Sequence, residues 1–128
     1  MRDHRKLKAF ALADWLALRI YAVTRKFPEE ERFGLAAQMR RAAVSVAANI
    51  VEACARPSEA DYLRQLAIAY ASAKELQYQI SLATRLGYIE AKSARGCIDG
   101  VSKLAKMLWA LMNAIRAKPA RTLAGRRL

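Results

Sequence analysis

From Tyr62 to Ala83 the apolar side chains recur as Tyr62, Leu66, Ala69, Ala73, Leu76, Ile80 and Ala83, in alternating steps of four and three. Ala94, Ile98, Val101, Ala105, Leu108, Met112 and Ile115 repeat the same alternation. A strand cannot use this spacing, because its side chains change face at every residue. On an α-helix it draws one continuous seam, the geometry by which near-parallel helices interlock. Phe10, Ala13, Ile20 and Val23, with Leu16 beside them, give a similar stripe nearer the N-terminus.

Phe27-Pro28, Arg56-Pro57-Ser58 and Leu86-Gly87-Tyr88 interrupt the helical patterning. Proline cannot continue a helix, and glycine favours its left-handed end. The breaks divide the chain into four helical segments, about 6–26, 30–55, 58–86 and 90–117. Ser58 followed by Asp61 resembles a capping box. Glu29, Glu30 and Glu31 stand where the dipole of the second helix favours anions, and Gly34 bends or restarts that helix. Of the 128 residues 55% are apolar, while only five are glycine and three proline, so there is material for one core and little for strands or tight turns. Helices this long on short connections run antiparallel to their neighbours. The expected fold is therefore all-α, an antiparallel up-down-up-down four-helix bundle over residues 1–117, with a flexible basic tail at 118–128.

The second segment is apolar nearly all round from Ala42 to Ala55. Its polar residues fall on one line, Gln38, Arg41, Ser45, Asn49, Glu52 and Arg56. A solvent-facing stripe with a Glu52–Arg56 surface pair is one reading. All-round apolar helices are usually buried, which favours another: a helix covered by its own bundle and by a neighbouring subunit. Ser45, Asn49 and Glu52 would then form a satisfied polar network at that junction.

Catalytic chemistry finds no foothold. The sequence has no Gly-rich phosphate loop, nucleophile elbow or metal motif. His4 is the single histidine. Cys54 and Cys97 each sit inside an apolar helical pattern and read as small buried hydrophobes rather than zinc ligands or a disulfide. Glu52 is the one carboxylate in strongly apolar surroundings, and acid–base work needs a second titratable group. No enzyme activity and no cofactor are expected. The longest uncharged run, Ala42 to Val51, is half of what a membrane-spanning helix requires, and no secretory leader opens the chain. A cytoplasmic protein without a membrane partner is expected.

Net charge is +12, from 23 basic and 11 acidic residues, a balance that attracts polyanions. After Asp99 come Lys103, Lys106, Arg116, Lys118, Arg121, Arg126 and Arg127 and no acid. Arg2, Arg5, Lys6 and Lys8 form a second cluster. Both clusters are expected to contact RNA or DNA phosphates through counterion release, without strong sequence preference. Few aromatics interleave with these cations, which argues against a base-stacking groove. An acidic protein surface is the alternative partner.

One further pattern runs through Tyr21-Ala22-Val23-Thr24, Phe27-Pro28, Gly34-Leu35, Gln38, Arg40 to Val46, Asn49-Ile50, Glu52 and Arg56. It continues at Ala69, Ser72, Glu75-Leu76 and Leu86-Gly87-Tyr88-Ile89. Over about residues 7–115 the chain resembles the four-helix bundle family encoded in intervening sequences of bacterial 23S ribosomal RNA genes. Phe10, Ala47 and Ala53 depart from it, where the family usually has Trp, a nearby Pro and Gly; these changes should leave the second helix straighter. The resemblance implies a ring-shaped homopentamer with nucleic-acid binding as its usual proposed role, and places the polar line at or near a subunit contact. A similar bundle, the accessory variability determinant of diversity-generating retroelements, works with a reverse transcriptase and its template RNA.

Overall fold

The computed structural model describes residues 2–118. Four helices carry it: α1 (Lys8–Thr24), α2 (Leu35–Ala55), α3 (Glu59–Arg85) and α4 (Ala91–Arg116). Short 3-10 turns precede α1 (His4–Lys6) and α2 (Glu29–Glu31). The tail expected at 118–128 lies outside the described residues beyond Lys118.

α1 packs on α2 and α4, and so does α3, while among the described residues neither diagonal pair approaches closely. Contacts at the two ends fix the helix directions. At one end the Arg2 backbone N–H donates to the Cys54 carbonyl at 3.0 Å, and Lys118 Nζ reaches Glu59 at 2.6 Å. At the other, the Tyr88 hydroxyl donates to Glu31 Oε2 at 3.0 Å. The chain therefore runs up, down, up and down around one core, as expected.

The α3 seam is buried at all seven expected positions. The α4 seam is corrected at one: Ile98 is 39% exposed, while Cys97 and Leu104 are fully buried. α4 touches both α1 and α3, so its buried face is wider than one seam, and Ile98 falls on the outer edge of it. Phe10 and Ile115 are partly buried against the core.

The expected start of α2 also moves. Glu29–Glu31 form a separate turn, and the helix begins at Leu35. Glu31 Oε1 accepts the Leu35 backbone N–H at 3.1 Å, satisfying one donor of the first turn. A Cβ on Gly34 would lie 2.7 Å from that same oxygen, so glycine makes room for the capping carboxylate. Tyr88 holds the other Glu31 oxygen, and one side chain thus ties the start of α2 to the α3–α4 turn. That turn closes on Gly87, at φ +79°, with the Tyr88 N–H donating to the Ala83 carbonyl at 2.9 Å, the left-handed helix ending that glycine permits. Ser58 Oγ accepts the Asp61 N–H at 3.1 Å and caps α3, while the Asp61 carboxylate turns to Arg64 instead of completing a capping box. α2 runs unbroken through Ala47 and Ala53.

Cys54 and Cys97 are buried and unpaired, and burial pushes both thiols up from their ordinary value.

Two glycines separate cap geometry from helix propensity. Gly34→Ala should lower unfolding free energy by about 1 kcal/mol by displacing the Glu31 cap. Gly96→Ala, where an added Cβ meets nothing within 4 Å inside α4, should raise it by about 0.5–1 kcal/mol. Urea denaturation of both variants checks the opposite signs.

Candidate nucleic-acid interface

The expected phosphate ligands divide into tied and untied groups. The Arg2 guanidinium lies 3.7 Å over the Tyr62 ring and 3.8 Å from Glu59, to which Lys118 is also paired. Arg5 is bound to Asp3, and its guanidinium holds the Asp3 carboxyl below the usual carboxylate range. Arg2 and Lys118 thereby close one end of the bundle around Glu59, while Arg5 is tied within its own turn. Lys6, Lys8, Lys103, Lys106 and Arg116 are exposed, and none of their side chains forms an ion pair among the described residues. Arg121, Arg126 and Arg127 lie outside the described residues.

The fold brings the N-terminal basic cluster against α4. Lys6 and Lys8 line one wall of a groove of about 450 Å³ whose other wall is Met107, Ala110, Leu111 and Ala114 of α4. α4 is the helix that carries Lys103, Lys106 and Arg116. Cations a hundred residues apart in sequence thus stand on adjacent elements, although Lys106 and Arg116 lie toward the α3 flank of α4, beside Trp109.

A second groove, of about 360 Å³, runs between α3 and α4 and is lined by Tyr70, Lys74, Gln77, Ser102, Ala105, Lys106 and Trp109. Trp15 and Trp109 are 45% and 47% exposed. They do not form one aromatic face: Trp15 packs against Gly100, nine residues from Trp109, which places them on opposite flanks of α4.

The polar line of α2 is corrected in its partners. Ser45 Oγ pairs with Ser72 Oγ at 2.8 Å, and Asn49 Oδ1 accepts from Gln65 Nε2 at 3.0 Å. Asn49 Nδ2 donates to the Ser45 carbonyl and hydroxyl. This satisfied network lies within one chain, between α2 and α3, where a subunit junction was expected. Gln38, Arg41, Glu52 and Arg56 are exposed and take no part in these hydrogen bonds. The partners Gln65 and Ser72 were missed; their signal was heptad spacing, Gln65, Ser72 and Gln79, along one flank of α3. Gln79 is buried too, and its Oε1 has no hydrogen-bond partner among the described residues.

Arg40 links α1 to α2: its Nε donates to Thr24 Oγ1 at 2.8 Å, and its guanidinium lies 4.8 Å over the Tyr21 ring. Among the described residues no three His, Cys, Asp or Glu side chains are grouped to hold a metal ion, and no helix is long and apolar enough to cross a membrane.

Fold and surface define a class, a small basic four-helix bundle with a polar α2–α3 seam. The sequence model of the 23S rRNA-intervening sequence protein family matches residues 5–110, and the chain belongs to that family. Its fold is similar to the crystal structure of a protein of unknown function from the S23 ribosomal protein family of Bacteroides thetaiotaomicron VPI-5482. The two are 27% identical with a TM-score of 0.76, over 81% of this chain and 97% of that one. No match was found among curated proteins.

Asn49→Ala strands the buried Gln65 amide and should cost about 1–3 kcal/mol of stability, measured by urea denaturation.

Proposed function

We propose that this protein is a non-enzymatic, homo-oligomeric nucleic-acid binder that grips RNA or DNA by phosphate charge rather than base sequence. The observation that carries the reading is the meeting of Lys6 and Lys8 with the α4 face, on the helix that bears Lys103, Lys106 and Arg116. Charges carried on adjacent elements of one small bundle give a polyanion several simultaneous contacts, and each contact releases condensed counterions. The basic residues from Lys118 onward extend the same charge along the sequence.

Self-assembly into the pentamer that the family resemblance implies is supported by a different face. Leu18, on α1, is 68% exposed and Val44, on α2, 44% exposed, with Tyr21, Ala48 and Ala55 also exposed on these helices. Apolar side chains left open along two adjacent helices mark a protein contact. This is the part of the subunit-contact reading of α2 that survives the inward turn of Ser45 and Asn49. Multiple copies multiply the phosphate contacts available to one strand.

Two measurements test the proposal. Lys6→Ala, Lys8→Ala, Lys103→Ala and Lys106→Ala combined should flatten the dependence of log affinity on log salt, by about 0.7–0.9 for each phosphate no longer neutralised. An unchanged slope removes this cluster as the interface. Light scattering should give five times the 14.3 kDa chain mass, and Val44→Glu should shift the population toward single chains; a monomeric parent protein contradicts the assembly.

A further inference from the structure

The α3–α4 groove holds the combination that the linear sequence lacks. Trp109, on α4, is nearly half exposed, and its ring centroid lies 5.3 Å from that of Tyr70, on α3, at a tilt of 43°. The Arg116 guanidinium stands 5.8 Å from the Trp109 centroid, at the outer limit of a cation–π contact. Lys74 and Lys106 are exposed on the groove's two walls, and none of its lining side chains is acidic. The polar floor is already satisfied, because Gln77 Nε2 donates to Ser102 Oγ at 3.0 Å. What remains open to a ligand is an indole surface with two ammonium groups nearby, Lys74 one turn from Tyr70 and Lys106 one turn from Trp109.

We propose that this groove binds an unpaired nucleotide of a single strand, the base stacking on Trp109 and its flanking phosphates meeting Lys74 and Lys106. The inference rests on the nucleic-acid reading and goes beyond it, since stacking demands a free base where phosphate contact does not. The chemistry favours this occupant over others. A duplex hides its base faces, an acidic peptide uses the ammonium groups but offers no flat ring to the indole, and a membrane surface requires a continuous apolar face. Base–aromatic stacking tolerates any base, so the site adds selectivity for single strands without sequence preference. The groove volume, about 360 Å³, lies within the usual range of small-ligand sites, about 300–1,000 Å³. RNA and DNA share the required groups.

The test uses the full chain carrying Trp15→Phe, so that Trp109 is the only indole. Short oligo(U) and oligo(dT) should quench its fluorescence, a matched duplex should not, and the tighter of the two strands identifies the natural sugar. In the parent chain Trp109→Ala should weaken single-strand binding about tenfold, Trp109→Phe should restore most of it, and duplex affinity should hold within about twofold. Circular dichroism verifies that each variant remains helical. If Trp109→Ala lowers single-strand, duplex and polyglutamate binding equally, or lowers none, the stacking site is refuted while phosphate binding stands. If the parent chain binds no nucleic acid of either form, both readings fall together.

Discussion

The close approach of α2 and α4 to α3 is the constraint on which the remaining architecture depends. α3 keeps Ala69, Ala73 and Ala83 fully buried between the larger Leu66, Leu76 and Ile80. Small residues interleaved with large ones let neighbouring helices pack without voids. α3 is therefore covered on two sides, and α1 completes the square by packing on α2 and α4. The same approach brings Gln65 and Ser72 against Asn49 and Ser45. Polar groups held there must pair with one another, and they do so across the seam.

Charge follows from this frame. The helix ends use carboxylates internally: Glu31 caps α2, Asp3 holds Arg5, Asp61 holds Arg64, and Glu59 gathers Arg2 and Lys118. Acids placed at helix starts also complement the helix dipoles. The cations left over lie along helix flanks, where Lys6, Lys8, Lys103 and Lys106 stand exposed without a carboxylate partner among the described residues. A basic surface is thus what remains where these carboxylates are engaged at the helix ends, with Asp14, Glu52, Glu75 and Asp99 exposed along the helices.

The helices were legible because their cause is periodic: the 4-3 spacing on α3 matched burial at every position, and Pro28, Pro57 and Gly87 marked the breaks. The start of α2 was not, because a carboxylate run reads equally as a first helical turn or as a turn that caps the next helix; Gly34 beside Glu31 decides it only once distances are known. The polar line was visible, but its partners were not, since helix pairing across a seam depends on register between α2 and α3. Tyr70 with Trp109 was hidden for the same reason, being 39 positions apart in sequence and in ring contact in the fold. The pattern that carried the family resemblance is largely structural: Tyr21, Thr24, Arg40, Ser45, Asn49, Ser72 and Tyr88 all make the contacts that join helices or their ends. It therefore spoke clearly about the fold and faintly about the ligand.

On the proposed function, a basic, assembled helical scaffold works by attraction to polyanions. Fluorescence anisotropy of a labelled random-sequence RNA, titrated with the intact protein in dilute buffer, addresses this most directly. A saturable rise that added salt reverses is the predicted result. A flat trace across the whole titration, with the protein verified as folded, contradicts it.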